Sequence, residues 1–315
     1  MQIKVLITGS NGDLACSIAK IIKKHFKNSK IIGTDLTKNG IGELIFNKIY
    51  KVPPANHKNY GRFINRLSKK VDLIIPATDI ENKFFCKNSK KYKSKVLIND
   101  NRVIDLFSEK YKTQKYLIQN FKDLALDYCI LLKDFYRYKK KIKTPFFLKK
   151  NIGSGNKNYQ IIKNKKEVKM LKNFNKNDWV IEELLKENAD EFTCALIRLK
   201  KFKKIIIFKR KLHKLGYTLY AETYKNSKIE KKIFKIADAV NLNGCINIQF
   251  KIIKNKIKIF DINPRLSSTV RMRDILGFQD CLWWIKDKLN LKINKKIVIL
   301  KNKRIAKDFE EKLIN

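Results

Sequence analysis

The sequence predicts a mixed α/β chain: a parallel, doubly wound αβ domain at the N-terminus, then an α+β region built on antiparallel sheets. Three observations predict this. Over the first hundred residues short apolar runs alternate with helical periodicity, the pattern of parallel strands joined by crossover helices. Past residue 100 the alternation changes, and segments 245–253 and 256–262 flank Asn255 as an antiparallel hairpin. The chain has 315 residues, 44% of them hydrophobic, with 19 Phe and 12 Tyr. That exceeds what one core usually fills, so two or three packed subdomains are expected.

Taken in order, residues 4–8 (KVLIT) form a strand, 9–12 a glycine turn and 14–22 a helix. Residues 31–33 give a second strand, ending at Asp35, and 60–67 a helix. The run VDLIIP at 71–76 is a buried strand closed by Ala77-Thr78-Asp79, with a further strand at 96–99. Residues 106–117 read as a helix carrying Lys110, and 146–149 as a strand entering the loop Gly153-Ser154-Gly155. Strands follow at 179–185, 192–199 and 204–211. Residues 229–241 place Ile233, Ile236, Ala237 and Val240 at helical spacing. A last helix at 280–289 carries Trp283 and Trp284.

The formal net charge is +43, from 62 lysines, ten arginines and 29 acids. A surface dedicated to nucleic acid concentrates charge and favours arginine for bidentate contacts. Here lysine is spread along the whole chain among many Asn and Ile, which reads as compositional drift, with no specific nucleic-acid partner. A nonenzymatic polyanion-binding protein stays as an alternative driven by charge alone. The six cysteines form no C-x-x-C pair and there are three histidines, so reduced thiols in a cytoplasmic protein are expected rather than a zinc or disulfide framework. No apolar run is long enough for a membrane span, and residues 1–9 start as a strand rather than a signal peptide.

Four motifs carry chemistry. Gly9-x-x-Gly12-x-x-Ala15, with Asp35 about 20 residues on, has the form of a dinucleotide-binding fingerprint. It supports a second alternative, an NAD(P)-dependent sugar epimerase or reductase. The hairpin is the strongest motif. Asp261 and Asn263 share a face of one strand, and a turn centred on Asn255 sets Gln249 opposite Asp261. One carboxylate and two amide oxygens are hard ligands suited to a Mg²⁺ that shares its shell with substrate phosphates. Arg265 and Arg271 follow, where a phosphate or carboxylate could be clamped. Lys149, at a strand end before Gly153-Ser154-Gly155, suits phosphate binding. Glu182, Glu183 and Leu185 end an apolar strand, with Glu191 after a short loop, an arrangement that could seat adenine and take ribose hydroxyls.

In this order the motifs resemble the ATP-grasp superfamily, especially stand-alone proteins similar to a carbamoyl-phosphate synthase large-subunit half. The resemblance covers nearly the whole chain, and DINPRLSSTVRM at 261–272 is its most specific stretch. It implies a pre-ATP-grasp domain at 1–100, a small subdomain with the phosphate loop at 101–178 and a large subdomain with the metal site at 179–315. It implies Lys110, Lys149, Gly153, Ser154 and Gly155 around the phosphates and Glu182, Glu183 and Leu185 at an adenine hinge. Glu191 matches the ribose position, Gln249, Asp261 and Asn263 the metal ligands, and Lys149, Arg210 and Arg265 the catalytic positions. The implied cofactors are ATP and Mg²⁺ (or Mn²⁺). The implied reaction is a ligation: a carboxylate activated as an acyl phosphate, then captured by an amine on a small molecule, an amino acid or a surface-glycan sugar. A homodimer is possible on the same grounds. The sequence departs from the family's pattern at Asn158, where a further glycine is common, at Asp261, where Glu is usual, and at Ala195, where an acid is frequent.

Overall fold

A computed structural model describes residues 2–153, 159–186, 189–200, 202–214, 216–294 and 298–308. The chain opens with β1 (Lys4–Thr8), α1 (Asp13–His25), β2 (Lys30–Asp35), β3 (Lys48–Lys51), α2 (Tyr60–Ser68), β4 (Leu73–Ile75), α3 (Asp79–Asn88) and β5 (Lys95–Val96). The five strands pair in parallel in the order β3-β2-β1-β4-β5. β1 and β4 are apolar nearly throughout because helices cover both faces. α1 buries Leu14, Ile18, Ile21 and Ile22 and carries Lys23, Lys24 and His25 in its last turn, where cations complement the helix dipole. Chain order reverses between β1 and β4, which opens a crevice beyond their carboxyl ends. Gly9 turns the chain there at φ +62°, and a Cβ on it would lie 2.8 Å from Thr78 Cγ2.

The middle of the chain holds α4 (Asn101–Phe107), α5 (Lys110–Asn120), β6 (Cys129–Leu131), α6 (Phe135–Tyr138), β7 (Phe146–Lys150), β8 (Tyr159–Ile162) and β9 (Trp179–Glu183). The single helix expected at 106–117 is two helices, broken at Ser108-Glu109. Asn151 explains the break: its backbone carbonyl accepts from Lys110 N at 3.0 Å and its Oδ1 accepts from Tyr111 N at 3.0 Å. A residue beyond β7 thus caps α5. The four strands order as β6-β9-β7-β8, all antiparallel. This sheet runs through the boundary expected at 178/179, because β9 pairs with β7. Val103, Phe107 and Leu117, in turn, pack against the next sheet rather than this one.

That next sheet contains β10 (Glu191–Leu199), β11 (Phe202–Leu212), β12 (Thr218–Tyr224), then, after α7 (Ser227–Ala239), β13 (Gly244–Ile253) and β14 (Lys256–Asn263). α8 (Val270–Ile275) and α9 (Asp280–Lys288) follow, and β15 (Arg304–Ala306) closes one edge. The order is β14-β13-β10-β11-β12-β15, antiparallel. α7 covers one face with Ile229, Ile233, Ile236 and Ala237. α9 covers the other with Trp283 and Trp284, in a core continuous with α1 of the N-terminal domain.

Candidate active site

The hairpin sets the site. Lys254 and Asn255 both take positive φ, +47° and +63°, which is a two-residue type I′ turn. Regular pairing from that turn would put Phe260 opposite Gln249. Instead the ladder skips Phe260, and Gln249 pairs with Asp261 and Asn247 with Asn263. The bulge keeps Ile257, Ile259 and Ile262 in the core while Phe260, Asp261 and Asn263 all reach one cavity. Gln249 therefore faces Asp261 as expected, through a bulge rather than a turn centred on Asn255.

Asp261 is the centre of a hydrogen-bonded chain. Its Oδ2 accepts from Asn263 Nδ2 at 2.7 Å and from Gln249 Nε2 at 3.2 Å. Each amide oxygen then faces an arginine: Arg210 Nη2 donates to Gln249 Oε1 at 2.6 Å, and Arg265 Nη2 to Asn263 Oδ1 at 3.1 Å. Each arginine is backed by an acid. Arg210 donates Nε and Nη2 to Glu191 Oε1 at 3.1 and 2.6 Å. Arg265 donates Nε to Asp79 Oδ1 at 2.5 Å and Nη2 to Asp79 Oδ2 at 3.1 Å. Asp79 was not among the residues singled out in the sequence; it ends the closure of β4, and only its ion pair with Arg265, just beyond β14, reveals it. Burial opposes the charge on Arg265, but Asp79 and Asp261 outweigh it and hold the guanidinium above its ordinary value.

This pairing corrects two expectations. With Nε and Nη2 on Asp79 and Nη1 on Leu266 O, Arg265 cannot also offer a full bidentate fork to a second anion. Arg271 is exposed on α8, outside the cavity lining. Instead buried Arg273 grips the turn before α8, donating to Ser267 Oγ, Thr269 Oγ1 and Asp280 Oδ2.

Lys149 stands across the cavity on β7. Its Nζ lies 2.9 Å from Glu182 Oε2, 4.6 Å from the Phe147 ring centroid and 5.7 Å from that of Phe260. Burial pulls the ammonium down, but Glu182 beside it and Asp261 beyond raise it above the ordinary lysine value. The lysine thus stays charged at neutral pH. Glu182 is fully buried and supports Lys149; it is Glu183, with Leu185, that reaches the cavity. Glu183 Oε2 also accepts from Asp127 N at 2.7 Å. Lys110 Nζ donates to Gly153 O at 2.8 Å. Ser154, Gly155 and Asn158 lie outside the described residues.

Gln249, Asp261, Asn263, Arg210, Arg265 and Lys149 line one cavity of about 550 Å³, to which Gly12, Asp13 and Ala77 of the N-terminal domain also contribute. Among the described residues no three His, Cys, Asp or Glu side chains group as a metal site. The donor set still fits a magnesium ion that keeps waters and phosphate oxygens. Asp261 lines the cavity, and its Oδ1 makes no hydrogen bond among the described residues. The cysteines are all buried and unbridged, and burial pushes the Cys129, Cys194, Cys245 and Cys281 thiols well up.

The dinucleotide alternative finds no support at the first turn. Asp35 Oδ2 accepts from Asn11 N at 2.8 Å, and Asn11 side-chain groups bond to Gly42 N, Thr37 O and Asn39 O. The acid and the turn are occupied by the chain's own backbone. No helix among the described residues is long and apolar enough to cross a membrane.

Comparison with known proteins agrees with this geometry. Residues 175–307 match the family described as ATP-grasp in the biosynthetic pathway with Ter operon, and residues 5–98 the PylC-like N-terminal domain. No curated protein matches by sequence. Among solved structures, the ADP complex of an N5-carboxyaminoimidazole ribonucleotide synthetase aligns at TM-score 0.76 and 15% identity, over 96% of this chain and 80% of that one. The Staphylococcus aureus N5-carboxyaminoimidazole synthetase aligns at 0.75 and 16%, over 96% and 82%. The biotin carboxylase domain of Hydrogenobacter thermophilus 2-oxoglutarate carboxylase, with MgADP and bicarbonate, aligns at 0.73 and 15%, over 96% and 74%. Residues 175–307 thus resemble an ATP-grasp family and residues 5–98 a PylC-like N-terminal domain, and the chain shares the fold of the solved structures named here.

Proposed function

We propose that the chain is an ATP-dependent carboxylate–amine ligase acting through an acyl phosphate. The observation that carries this is the meeting of Lys149 with Asp261, Gln249, Asn263 and two arginines on one cavity lined by both antiparallel sheets. A carboxylate oxygen attacks the γ-phosphorus of ATP and ADP leaves. The amine then attacks the acyl carbon and phosphate leaves. Lys149, held charged by Glu182, and Lys110 bind phosphate oxygens. Arg210 and Arg265 add fixed positive ends beside the reacting groups, so most of the rate comes from positioning and preorganised charge. Glu183 and Leu185 border the adenine, and Glu191 borders the ribose while it anchors Arg210. Asp261, Gln249 and Asn263 would hold Mg²⁺ (or Mn²⁺), which supplies neutralisation of phosphate charge when bound.

ADP or MgADP in the related structures named above supports the nucleotide half of this reading. The small-molecule carboxylate and amine, a cytoplasmic setting and a homodimer belong to the proposal. An ADP-release assay across paired carboxylates and amines tests it. Release that requires both members of a pair supports the reading; no release with any pair, together with no binding of Mg-ATP, overturns it.

A further inference from the structure

The N-terminal domain reaches into the cation site through one side chain. Asp79 begins α3 and spans 186 residues of sequence to grip Arg265 by Nε and Nη2. Both partners are largely buried, at 14% and 17% side-chain exposure. The same Arg265 Nη2 donates to Asn263 Oδ1, and Asn263 Nδ2 rests on Asp261. Asp79 is itself presented by a rigid support. Thr78 caps α3 by accepting from Glu81 N, and buried Glu81 accepts from Thr78 Oγ1 at 2.6 Å, Thr8 Oγ1 at 2.7 Å and Tyr60 OH at 2.9 Å. One buried carboxylate thereby ties the end of β1, the start of α2 and the cap of α3 together.

We infer that Asp79 is a positioning residue: by holding Arg265 it fixes the amide of Asn263, so the N-terminal domain sets the geometry of the divalent-cation site. The inference rests on the reading of Asp261 and its two amides as that site. An arginine joined to one carboxylate by two parallel hydrogen bonds keeps its plane, and losing a partner behind a metal ligand typically costs about 10- to 100-fold in metal affinity or activity. Without Asp79, Arg265 keeps its bond to Leu266 O but loses the two that fix its plane, so the donor that orients the Asn263 oxygen is no longer held in place.

Mn²⁺ binding to the ADP complex, followed by electron paramagnetic resonance, tests this on the full chain. Asp79→Asn should weaken Mn²⁺ by about 10- to 100-fold and leave the affinity for metal-free ADP unchanged. Because Asp79 acts through Arg265, the same substitution in an Arg265→Lys background should add little, a non-additivity that a merely structural role would not give. Asp79→Glu keeps the carboxylate and should retain most of the affinity; it decides the question if Asp79→Asn does not fold, because a large loss in Asp79→Glu would contradict the inference. Unchanged Mn²⁺ affinity in Asp79→Asn, or additive losses in the double variant, would overturn the inference and leave the ligase reading standing. A wild-type chain that binds no Mn²⁺-ADP would overturn both.

Discussion

At the scale of single residues, Lys149 has two duties that mutation can separate. It balances the buried Glu182 carboxylate and it presents a charge to the cavity. Lys149→Met leaves Glu182 buried and unpaired, which should cost about 3–5 kcal/mol by denaturant unfolding. Lys149→Met with Glu182→Gln should regain most of that stability and still fail to recover nucleotide affinity by calorimetry. Recovery of both would make Lys149 a purely structural residue. That Gln249, Asp261 and Asn263 share one face is legible from strand parity, and Lys149 from its place at a strand end before a small-residue loop, whereas only the family resemblance points to Arg210. Asp79 and Glu182's supporting role were not legible. A salt bridge across 186 residues leaves no local pattern, and two adjacent glutamates differ only in which side of β9 each one faces.

At the scale of elements, the glycine that starts β13 shows how tightly the hairpin is seated. Gly244 takes φ +150°, and a Cβ there would lie 2.1 Å from Asn99 Oδ1 and 2.9 Å from Trp284 Cζ2. Asn99 Nδ2 donates to Cys245 O and Pro264 O, so the clash falls on the joint between the N-terminal domain and the hairpin. Gly244→Ala should destabilise by about 2 kcal/mol or more, from strain alone of about 1–3 kcal/mol plus lost packing, read as a lower urea midpoint. The strands and helices with clear apolar periodicity, from β1 to α9, were legible to within a few residues. β3, α3, α4, β6, α6, β8, β12, α8 and β15 were not, because they are short or their apolar periodicity is weak: α3 reads DIENKFFCKN and β12 reads TLYAETY. The bulge at Phe260 was equally silent in the sequence, since alternation alone predicts an unbroken ladder.

At the scale of the whole molecule, ionic and apolar contacts join the N-terminal domain to the rest. Asp274 on α8 accepts from Lys24 Nζ at 2.9 Å and meets His25 Nε2 at 2.8 Å at the end of α1. Burial raises the Asp274 carboxyl, but His25 and Lys24 outweigh it and hold its pKa below the ordinary value. A carboxylate held low in the folded state contributes stability that is complete above its unfolded pKa of about 3.9 and is lost as pH falls through the lowered value. Thermal midpoints measured from pH 7 to pH 2 should therefore fall at the acid end, and Asp274→Asn should flatten that part of the curve. An unchanged acid limb in the variant would remove the pair from the account of domain docking.

The central claim concerns the cavity lined by the two antiparallel sheets, and calorimetric titration of ADP with and without Mg²⁺ tests it most directly. Wild type should bind ADP more tightly with Mg²⁺ present, and Asp261→Ala should abolish that enhancement while leaving metal-free binding in place. Failure of the wild-type chain to bind ADP, or a magnesium enhancement that survives in Asp261→Ala, would contradict it.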